Sequence, residues 1–262
     1  DWLAAGLDPE RSTLFIQSRV PEHAILYLLL SMITPVPWLE RNPTYKDKRE
    51  NIEGRDLSTY GFLGYPVLQT ADILLYKGDF VPVGVDQLPH LELSREIARR
   101  FNQLYKPVFP EPQALLTEVP KVPGTDGRKM SKSYNNTINL SDSEATVRSK
   151  LKTMVTDPAR IRRTDKGNPD VCPVFTLHKS ISAQPVIGQV NNECRTAAIG
   201  CIDCKKLLAD GLVTLLMPTW DKRRELAQKP TLVDEVIDAG TKKAGAVARR
   251  TIAEVSEAMR IG

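Results

Sequence analysis

Two lysines three positions apart, Lys129 and Lys132, follow a glycine and alternate with two serines, Ser131 and Ser133. Glycine gives a loop backbone freedom, and lysine ammonium groups can meet the charge that develops on phosphate oxygens during a transfer reaction. Serine hydroxyls and backbone amides add neutral donors. The pattern indicates a mobile loop that wraps a polyphosphate, with a solvated basic turn as the structural alternative.

The four cysteines of the sequence lie in one short region that ends in a Cys-x-x-Cys pair: Cys172, Cys194, Cys201 and Cys204. Such a group reads as a four-thiolate site for zinc or an iron–sulfur cluster. Zinc ribbons usually pair two Cys-x-x-Cys motifs, whereas this sequence has one. Disulfides are disfavoured because nothing indicates secretion, and reduced, buried thiols are the alternative without a metal.

A third candidate site is a polar stripe at helical spacing, formed by Tyr65, Gln69, Asp72 and Tyr76. Asp72 has apolar neighbours in mid-helix, where a carboxylate cannot serve as an N-cap. Burying it there is costly unless it meets a donor. That donor is either an internal lysine or arginine, or a group on a ligand.

Other classes of function find less support in the sequence. The three histidines, at 23, 90 and 178, show no ligand spacing, so we assign them no catalytic role. The longest apolar run, residues 25–30, is far too short to span a bilayer, and the first residues do not form a signal peptide. The net charge of +4 suits a nucleic-acid partner, although many enzymes are this basic for solubility alone.

Strands and helices are predicted to alternate in the first part of the chain. Residues 13–17 and 80–84 are short apolar runs typical of buried strands. Helices are predicted from Val20, from Pro66 and over residues 88–101, with proline at a first turn. This alternation predicts a parallel α/β sheet. The helix from Val20 is apolar nearly all round, so we expect it to be buried in the core or against another subunit.

The second part of the chain is predicted to be helical. Prolines punctuate a loop over residues 107–127, and the charged stretch 40–57 reads as a loop or a loosely packed helix. Ser141–Glu144 is a capping-box pattern that starts a helix, and apolar residues over 244–259 form the stripe of a last, long helix. We therefore expect an α/β part to about residue 140, followed by an all-helical part.

The string Lys129-Met130-Ser131-Lys132-Ser133 matches the signature of class I aminoacyl-tRNA synthetases. It lies where an α/β part meets a helical part, as in that family. Residues 65–76 and 81–87 closely resemble the corresponding segments of tryptophanyl-tRNA synthetases. The resemblance covers essentially the whole chain.

This resemblance implies roles for the polar stripe. The carboxylate of Asp72 would accept the indole N–H, which is a donor only, and phenylalanine would leave that carboxylate unpaired. Gln87 would contact the polar end of the amino acid, while Tyr65 and Gln69 would line the pocket.

The resemblance also implies an ATP site. Gly84 and Asp86 would lie near the ribose, and residues 129–133 would bind the phosphates, with Lys129 and Lys132 as catalytic groups beside Mg²⁺. Lys46 and Lys48 occupy places where the family directs lysines at the ATP phosphates.

A subset of bacterial tryptophanyl-tRNA synthetases carries a [4Fe–4S] cluster on closely similar cysteines in the anticodon-binding domain. Residues 156–163 and 167–173 also look like that subset. The resemblance thus favours a [4Fe–4S] cluster over Zn²⁺. Arg160, Arg162 and Arg163 beside the cysteines would meet tRNA phosphates, with a merely solvated face as the alternative.

The fold implied by the resemblance is a Rossmann-like catalytic domain, 1–140, and a helical anticodon-binding domain, 141–262, whose last helix can pack back on the catalytic domain. The reaction implied is ATP-dependent activation of L-tryptophan to tryptophanyl-adenylate and its transfer to tRNA(Trp), by a cytoplasmic homodimer without a membrane partner. A ligase similar to tyrosyl-tRNA synthetase is the nearest alternative.

The other signature of this family, a His-x-Gly-His type motif, is absent from the sequence. The chain opens without methionine, as if in mid-helix, and we expect an N-terminal truncation that removes the first βα region. Little or no aminoacylation is then expected, and a truncated, non-catalytic binding module is a further alternative. Tryptophan-dependent ATP–pyrophosphate exchange at normal rates would contradict this expectation.

Overall fold

The structure is a computed structural model that describes residues 1–43, 58–116 and 122–262. The chain forms two compact units, which we name by their contents. The sheet unit comprises Pro9–Glu118 and Thr231–Gly262, and the cysteine unit comprises Asp1–Asp8 and Val119–Pro230. The domains 1–140 and 141–262 remain a prediction, because a compact unit and a functional domain need not coincide.

Helices dominate the described residues, around one small sheet. The helices are α1 (Glu22–Ser31), α2 (Val36–Glu40), α3 (Tyr60–Leu74), α4 (Leu88–Leu104), α5 (Glu144–Thr153), α6 (Pro173–Ile181), α7 (Gln184–Arg195), α8 (Cys201–Ala227) and α9 (Pro230–Met259). Strands β1 (Phe80–Val83) and β2 (Gln113–Leu116) pair in parallel, with Phe80 opposite Gln113. The predicted α/β class with a parallel sheet and a helical part is therefore confirmed.

Each unit has its own apolar core. In the sheet unit, buried side chains of α1, α3, α4 and α9 pack together, including Leu30, Leu74, Ile97 and Val255. In the cysteine unit, α5 to α8 bury a second cluster that includes two of the cysteines. None of the described helices is both long and apolar enough to cross a membrane.

The strand predicted at residues 13–17 is wrong. Residues 13–16 belong to no described strand, and Gln17–Arg19 form a short 3-10 helix. Leu14 lies instead against α9, where its backbone oxygen approaches Gly240 so closely that a Cβ atom there would overlap it. An apolar run becomes a strand only where a neighbouring strand pairs with its backbone, and here a helix occupies that side.

Two further boundaries differ from the prediction. The proline-rich loop contains β2, which the sequence did not predict. Four residues with one half-buried side chain are too few to show the alternation typical of a strand. Pro66 does not open its helix: α3 begins at Tyr60, after Thr59 accepts a hydrogen bond from the N–H of Phe62 at 3.3 Å. Pro66 lies inside α3, where its ring removes one N–H from the helix.

The helix predicted after Ser141–Glu144 is α5, but its N-cap is Ser143, whose hydroxyl accepts from the N–H of Thr146 at 3.2 Å. Ser141 is therefore not the cap, because the helix starts at Glu144. The capping-box pattern located the helix correctly and misplaced its first residue by two positions.

The all-round apolar helix is α1, and it is buried on one side. Leu26 and Leu30 lie in the core, whereas Ile25, Leu28 and Met32 are 44%, 57% and 72% exposed. The prediction of burial is thus confirmed for the core side only. The exposed side is an apolar surface of the sheet unit.

Candidate functional site

Asp72 lies on α3 and is held by two residues from the start of the sheet unit. Its Oδ1 atom accepts from the Nε2 of Gln17 at 2.6 Å and bonds with the Nδ1 of His23 at 2.7 Å. The side chain of Asp72 is 38% exposed, and no described residue bonds with its Oδ2 atom. The carboxylate therefore has one oxygen fixed by the protein and one available to a ligand.

His23 determines the orientation of that carboxylate. Its ring is buried, and its Nε2 lies 2.8 Å from the hydroxyl oxygen of Tyr76. A carboxylate only accepts, so the Nδ1–H of His23 donates to Asp72, and Nε2 shares a hydrogen bond with the hydroxyl of Tyr76. The ring of Phe15 packs on both, with centroids 5.9 Å from His23 and 5.5 Å from Tyr76.

The hydroxyl of Tyr76 remains a donor over the ordinary pH range. Burial raises the pKa of Tyr76 to about 12, and the negative charges of Asp72 and Glu22 act in the same direction. Tyr76 thus belongs to the same network as Asp72, and the helical spacing correctly placed the two on one face. Gln17 and His23 were missed, because they are 55 and 49 residues away in sequence.

Three residues of the predicted amino-acid and nucleotide site form a second polar group. The Nε2 of Gln69 donates to the Oε1 of Gln87 at 3.4 Å, and the Nε2 of Gln87 donates to the Oδ2 of Asp86 at 3.1 Å. The Oε1 of Gln69 is buried and has no hydrogen-bond partner among the described residues. Such an acceptor is costly to leave unpaired, so a ligand donor would stabilise it.

The short 3-10 helix Val85–Gln87 carries this group, directly after β1. Ligands of open parallel sheets bind beyond the carboxyl ends of the strands, and this is where Gly84, Asp86 and Gln87 lie. A Cβ atom on Gly84 would come within 2.8 Å of the Oδ1 of Asp86, so glycine leaves room for that carboxylate. Tyr65 packs edge-on against His90, with ring centroids 5.6 Å apart.

Lys46 and Lys48, the other residues expected near ATP, lie outside the described residues. The structure thus places Asp72 with Tyr76, and Gln69 with Gln87 and Asp86, all within the sheet unit. The predicted phosphate loop belongs to the cysteine unit.

The lysine loop is part of a tight turn, which we call the lysine hairpin (residues 122–136). Pro123 and Lys129 form an antiparallel bridge, and the N–H of Met130 donates to the carbonyl oxygen of Val122 at 2.8 Å. Gly127 has a φ of +83°, a left-handed conformation that glycine adopts readily. The side chains of Lys129 and Lys132 are exposed, and Lys132 opens a short 3-10 helix with Ser133 and Tyr134.

Asn136 holds the hairpin from inside. Its buried side chain accepts from the N–H of Ser131 at 2.8 Å, and its Nδ2 donates to Asp126 at 2.7 Å and to the carbonyl oxygen of Lys129 at 3.2 Å. The hydrogen bond from Asn136, aided by Arg128, lowers the pKa of Asp126. Asn136 was not among the predicted site residues, although it lies three residues past the signature.

Replacing Asn136 with alanine is expected to loosen the lysine hairpin, because it removes the partner of a loop N–H and of a loop carbonyl. Each unsatisfied buried group costs about 1–3 kcal/mol. Hydrogen exchange of residues 122–136 should rise in Asn136→Ala and stay unchanged in Asn192→Ala, an exposed asparagine of α7. Equal exchange in both variants would show that Asn136 does not hold the loop.

All four cysteines line one cavity of the cysteine unit. Cys172 directly precedes α6, Cys194 lies in α7, and Cys201 and Cys204 lie in the first turn of α8. The other residues that line the cavity are Thr156, Asp157, Arg160, Val174, Phe175 and Val190.

The thiols of this cavity influence one another. Burial, together with the nearby Cys172, Cys194 and Cys201, raises the pKa of Cys204 to about 12. Burial also raises the pKa of Cys194, against the opposing charge of Arg160. Thiols of this kind stay protonated at neutral pH unless a cation takes the place of their protons.

Arg160 faces the cysteines, which corrects part of its predicted role in binding tRNA. Its side chain is buried, with Nη1 3.6 Å from the Sγ of Cys194 and Nη2 donating to the carbonyl oxygens of Arg163 and Ile199. A guanidinium occupied in this way cannot also meet a phosphate in solvent. Arg162 is exposed, and Arg163 is exposed although its Nη2 donates to the carbonyl oxygen of Ala198 at 3.3 Å.

Gly167 approaches the cysteine cavity from the backbone. A Cβ atom there would lie 2.5 Å from the Sγ of Cys194, and the N–H of Gly167 donates to the carbonyl oxygen of Cys194 at 2.9 Å.

Among the residues that the structure describes, no group of three or more His, Cys, Asp or Glu side chains has the geometry to hold a metal ion.

Comparison with known proteins shows that this chain is similar to tRNA synthetases along nearly its whole length. Residues 1–217 match the family described as tRNA synthetases class I (W and Y). The chain is 55% identical to the tryptophan–tRNA ligase of Thermotoga maritima, over 99% of this chain and 80% of that protein. It is 44% identical to that of Aquifex aeolicus, over 100% and 84%. The tryptophanyl-tRNA synthetase of Campylobacter jejuni complexed with ADP and tryptophan superposes with a TM-score of 0.84 at 34% identity, over 99% of this chain and 80% of that one.

Proposed function

The chain belongs to the class I tRNA synthetases of the tryptophan and tyrosine group, and we infer that it is a tryptophan–tRNA ligase. Its substrates are L-tryptophan, ATP and tRNA(Trp). Relatives that carry this activity are 55% and 44% identical over nearly the whole chain. These identities favour tryptophan over tyrosine, and a ligase over a non-catalytic binding module.

The arrangement around Asp72 supports tryptophan as the amino acid. Its Oδ1 accepts from Gln17 and bonds with His23, which leaves Oδ2 to accept a hydrogen bond from a ligand. Indole N–H donates and does not accept, which matches an ionised carboxylate. A phenol hydroxyl also accepts, and of the groups bonded to Asp72 the second N–H of Gln17 is the one left to donate to it. The Asp72 carboxylate is the observation that carries the proposal.

The second polar group supports binding of the other end of tryptophan. The buried Oε1 of Gln69 is an acceptor without a partner among the described residues, and the α-ammonium group of an amino acid is a donor. Gln87 lies next to it and joins it to Asp86. We place the amino acid against Gln69, Gln87 and Tyr65, and the ATP ribose near Gly84 and Asp86.

The first chemical step joins the tryptophan carboxylate to the α-phosphorus of ATP. A carboxylate oxygen forms the new bond to phosphorus, and the bond to pyrophosphate breaks. Lys129 and Lys132, with Met130, Ser131 and Ser133 in the same loop, would balance the charge on the phosphates. Bound Mg²⁺ would supply further positive charge to those oxygens. The second step transfers the tryptophanyl group to tRNA and releases AMP.

Amino-acid binding tests this function without requiring turnover. Equilibrium dialysis with L-tryptophan should show saturable binding, and L-tyrosine should compete about 100-fold more weakly or worse, as expected for a site built around one hydrogen bond. Equal competition by the two amino acids would contradict tryptophan specificity. Binding of tRNA(Trp) without binding of either amino acid would support the non-catalytic alternative.

We propose that the four cysteines bind a [4Fe–4S] cluster. Cys172, Cys194, Cys201 and Cys204 line one enclosed, partly apolar cavity, and Arg160 offsets part of the negative charge that four thiolates would bring. A single zinc holds its sulfurs at about 2.3 Å and thus within about 4 Å of one another. A cubic cluster binds one thiolate at each iron, so its ligands stand farther apart. No preformed single-ion site is found among the described residues, so the proposal rests on the four cysteines that share one cavity.

We also propose that Arg162 and Arg163 contact tRNA(Trp). Both are exposed beside the cysteine cavity, together with the N-terminus of α8. Phosphates bind readily to arginines and to helix N-termini.

We propose that the reaction takes place in the cytoplasm, where tRNA is charged.

A homodimer formed through α1 is proposed from its exposed apolar face. Leu28→Glu should place a charge in that interface and shift the protein to the monomer mass in analytical ultracentrifugation, since burying an unpaired charge is costly. Leu104→Glu, at a comparably exposed leucine of α4, is the control and should keep the dimer. A wild-type protein that is monomeric at all concentrations would contradict the proposal.

A further inference from the structure

The lysine hairpin packs against Pro173, the residue that follows Cys172. Pro173 directly follows Cys172 and opens α6. A Cβ atom on Gly127, at the tip of the hairpin, would lie 3.0 Å from the Cγ2 of Val155 and 3.1 Å from the Cγ of Pro173. The left-handed Gly127 therefore lets the hairpin backbone pack directly against both side chains.

A hydrogen bond makes a second contact between the hairpin and the wall of the cysteine cavity. The N–H of Val155 donates to the carbonyl oxygen of Thr125 at 2.9 Å. Val155 is followed by Thr156 and Asp157, and both of these line the cavity.

The contact continues from Thr125 to the lysine loop. The N–H of Thr125 donates to the carbonyl oxygen of Asn136 at 3.0 Å, and the side chain of Asn136 accepts from the N–H of Ser131. Hydrogen bonds and packing thus connect the cysteine cavity to the segment between Lys129 and Lys132. All of these residues belong to the cysteine unit.

We propose that Pro173 and Val155 are positioning residues for Lys129 and Lys132, and that they hold the hairpin in place only when the four cysteines are liganded. The inference rests on the proposed cluster and the proposed ligase function. Binding of a metal group orders the segments that supply its ligands. Cys172 and the segment from residue 155 then become fixed supports for the hairpin. With free thiols, the same supports can move, and the phosphate loop loses its defined position.

Hydrogen exchange of residues 122–136 tests whether the liganded cysteines hold the hairpin in place. The iron content and absorbance of the same sample show whether the cluster is present. Iron-loaded wild-type protein should exchange this segment about 5-fold more slowly than protein from which a chelator has removed the iron, as for ordinary coupling between sites. Residues 207–216 of α8, which include the buried Leu208 and Leu212, report whether the unit has unfolded.

A variant separates the hairpin contact from loss of the cluster. Pro173→Ala removes the ring atoms that face Gly127 and keeps Cys172. In the iron-loaded state it should raise exchange of residues 122–136 and leave the visible absorbance of the cluster intact. Pro185→Ala is the matched control, because Pro185 also lies in the first turn of its helix, as the second residue of α7, and is exposed.

The outcomes separate the two proposals. Hairpin exchange that is the same in iron-loaded protein, iron-free protein and Pro173→Ala overturns the positioning role, while the measured iron leaves the cluster standing. A protein that binds no iron when prepared anaerobically overturns the cluster, and the positioning role falls with it. Faster exchange of the hairpin in Pro173→Ala alone, with the control unchanged, supports the contact.

Discussion

Replacing Asp72 with alanine is expected to lower the affinity for L-tryptophan by about 10- to 100-fold. The substitution removes the proposed acceptor of the indole N–H, and a hydrogen bond to a charged group contributes about 1.5–3 kcal/mol. Every 1.4 kcal/mol corresponds to about tenfold in the dissociation constant. Asp72→Asn keeps an oxygen and loses the charge, so its loss should be smaller.

Asp79→Asn is the matched control for this measurement. Asp79 is an exposed carboxylate of the same unit, beside β1, and its replacement should leave tryptophan binding unchanged. Equilibrium dialysis gives the affinities, and thermal unfolding of each variant shows that the fold persists. Wild-type affinity in Asp72→Ala would exclude the carboxylate as the reader of the indole.

The role of His23 is resolved by combining two substitutions. If His23 acts by orienting Asp72, then His23→Ala should weaken tryptophan binding in the wild-type background and change it little in the Asp72→Ala background. Residues in one hydrogen-bond network show this non-additivity, whereas independent residues give additive losses. Additive losses would assign His23 an effect of its own.

Replacing Cys172 with serine is expected to abolish binding of the proposed iron–sulfur cluster. A serine hydroxyl is a poor substitute for a thiolate, and three thiolates leave one iron without its protein ligand. The wild-type protein should be brown, with absorbance near about 400 nm and about four irons per chain, whereas Cys172→Ser should be colourless. The cysteine unit should also lose stability, because binding a metal group contributes directly to the free energy of folding.

Val190→Ala provides the matched control in the same cavity. Val190 is buried beside the cysteines, and its truncation should cost about 1–3 kcal/mol through lost packing. It leaves all four thiols in place, so the colour and iron content should remain. A wild-type protein that is colourless and contains zinc after anaerobic purification would refute the cluster.

Part of the candidate site follows from local sequence patterns. Helical spacing placed Asp72, in α3, and Tyr76, two residues past the end of α3, on one side, where both bond with His23. The apolar run at residues 80–84 located β1. The cysteine spacing marked a group that the structure places around one cavity. In each case the signal is a repeat or a short string, whose meaning depends on residues within a few turns of one another.

Other elements depended on partners that no local pattern reveals. Residues 13–16 have the composition of a strand, but their neighbour is Gly240 of α9, far along the chain. β2 was hidden because four residues carry too little alternation. Whether an extended run pairs with a strand or packs on a helix is decided by what lies beside it.

By itself, the sequence predicted the kind of chemistry in this protein: two lysines for phosphates, a carboxylate for an N–H donor and four thiols for a metal group. Only the tertiary structure decided how these groups are held. Gln17 and His23 reach Asp72 across 55 and 49 residues. The buried side chain of Asn136 forms hydrogen bonds with the backbone of Lys129 and Ser131 in the lysine hairpin, and the side chain of Pro173 packs against Gly127. Residue types set which bonds can form, whereas packing of distant segments sets which of them do form.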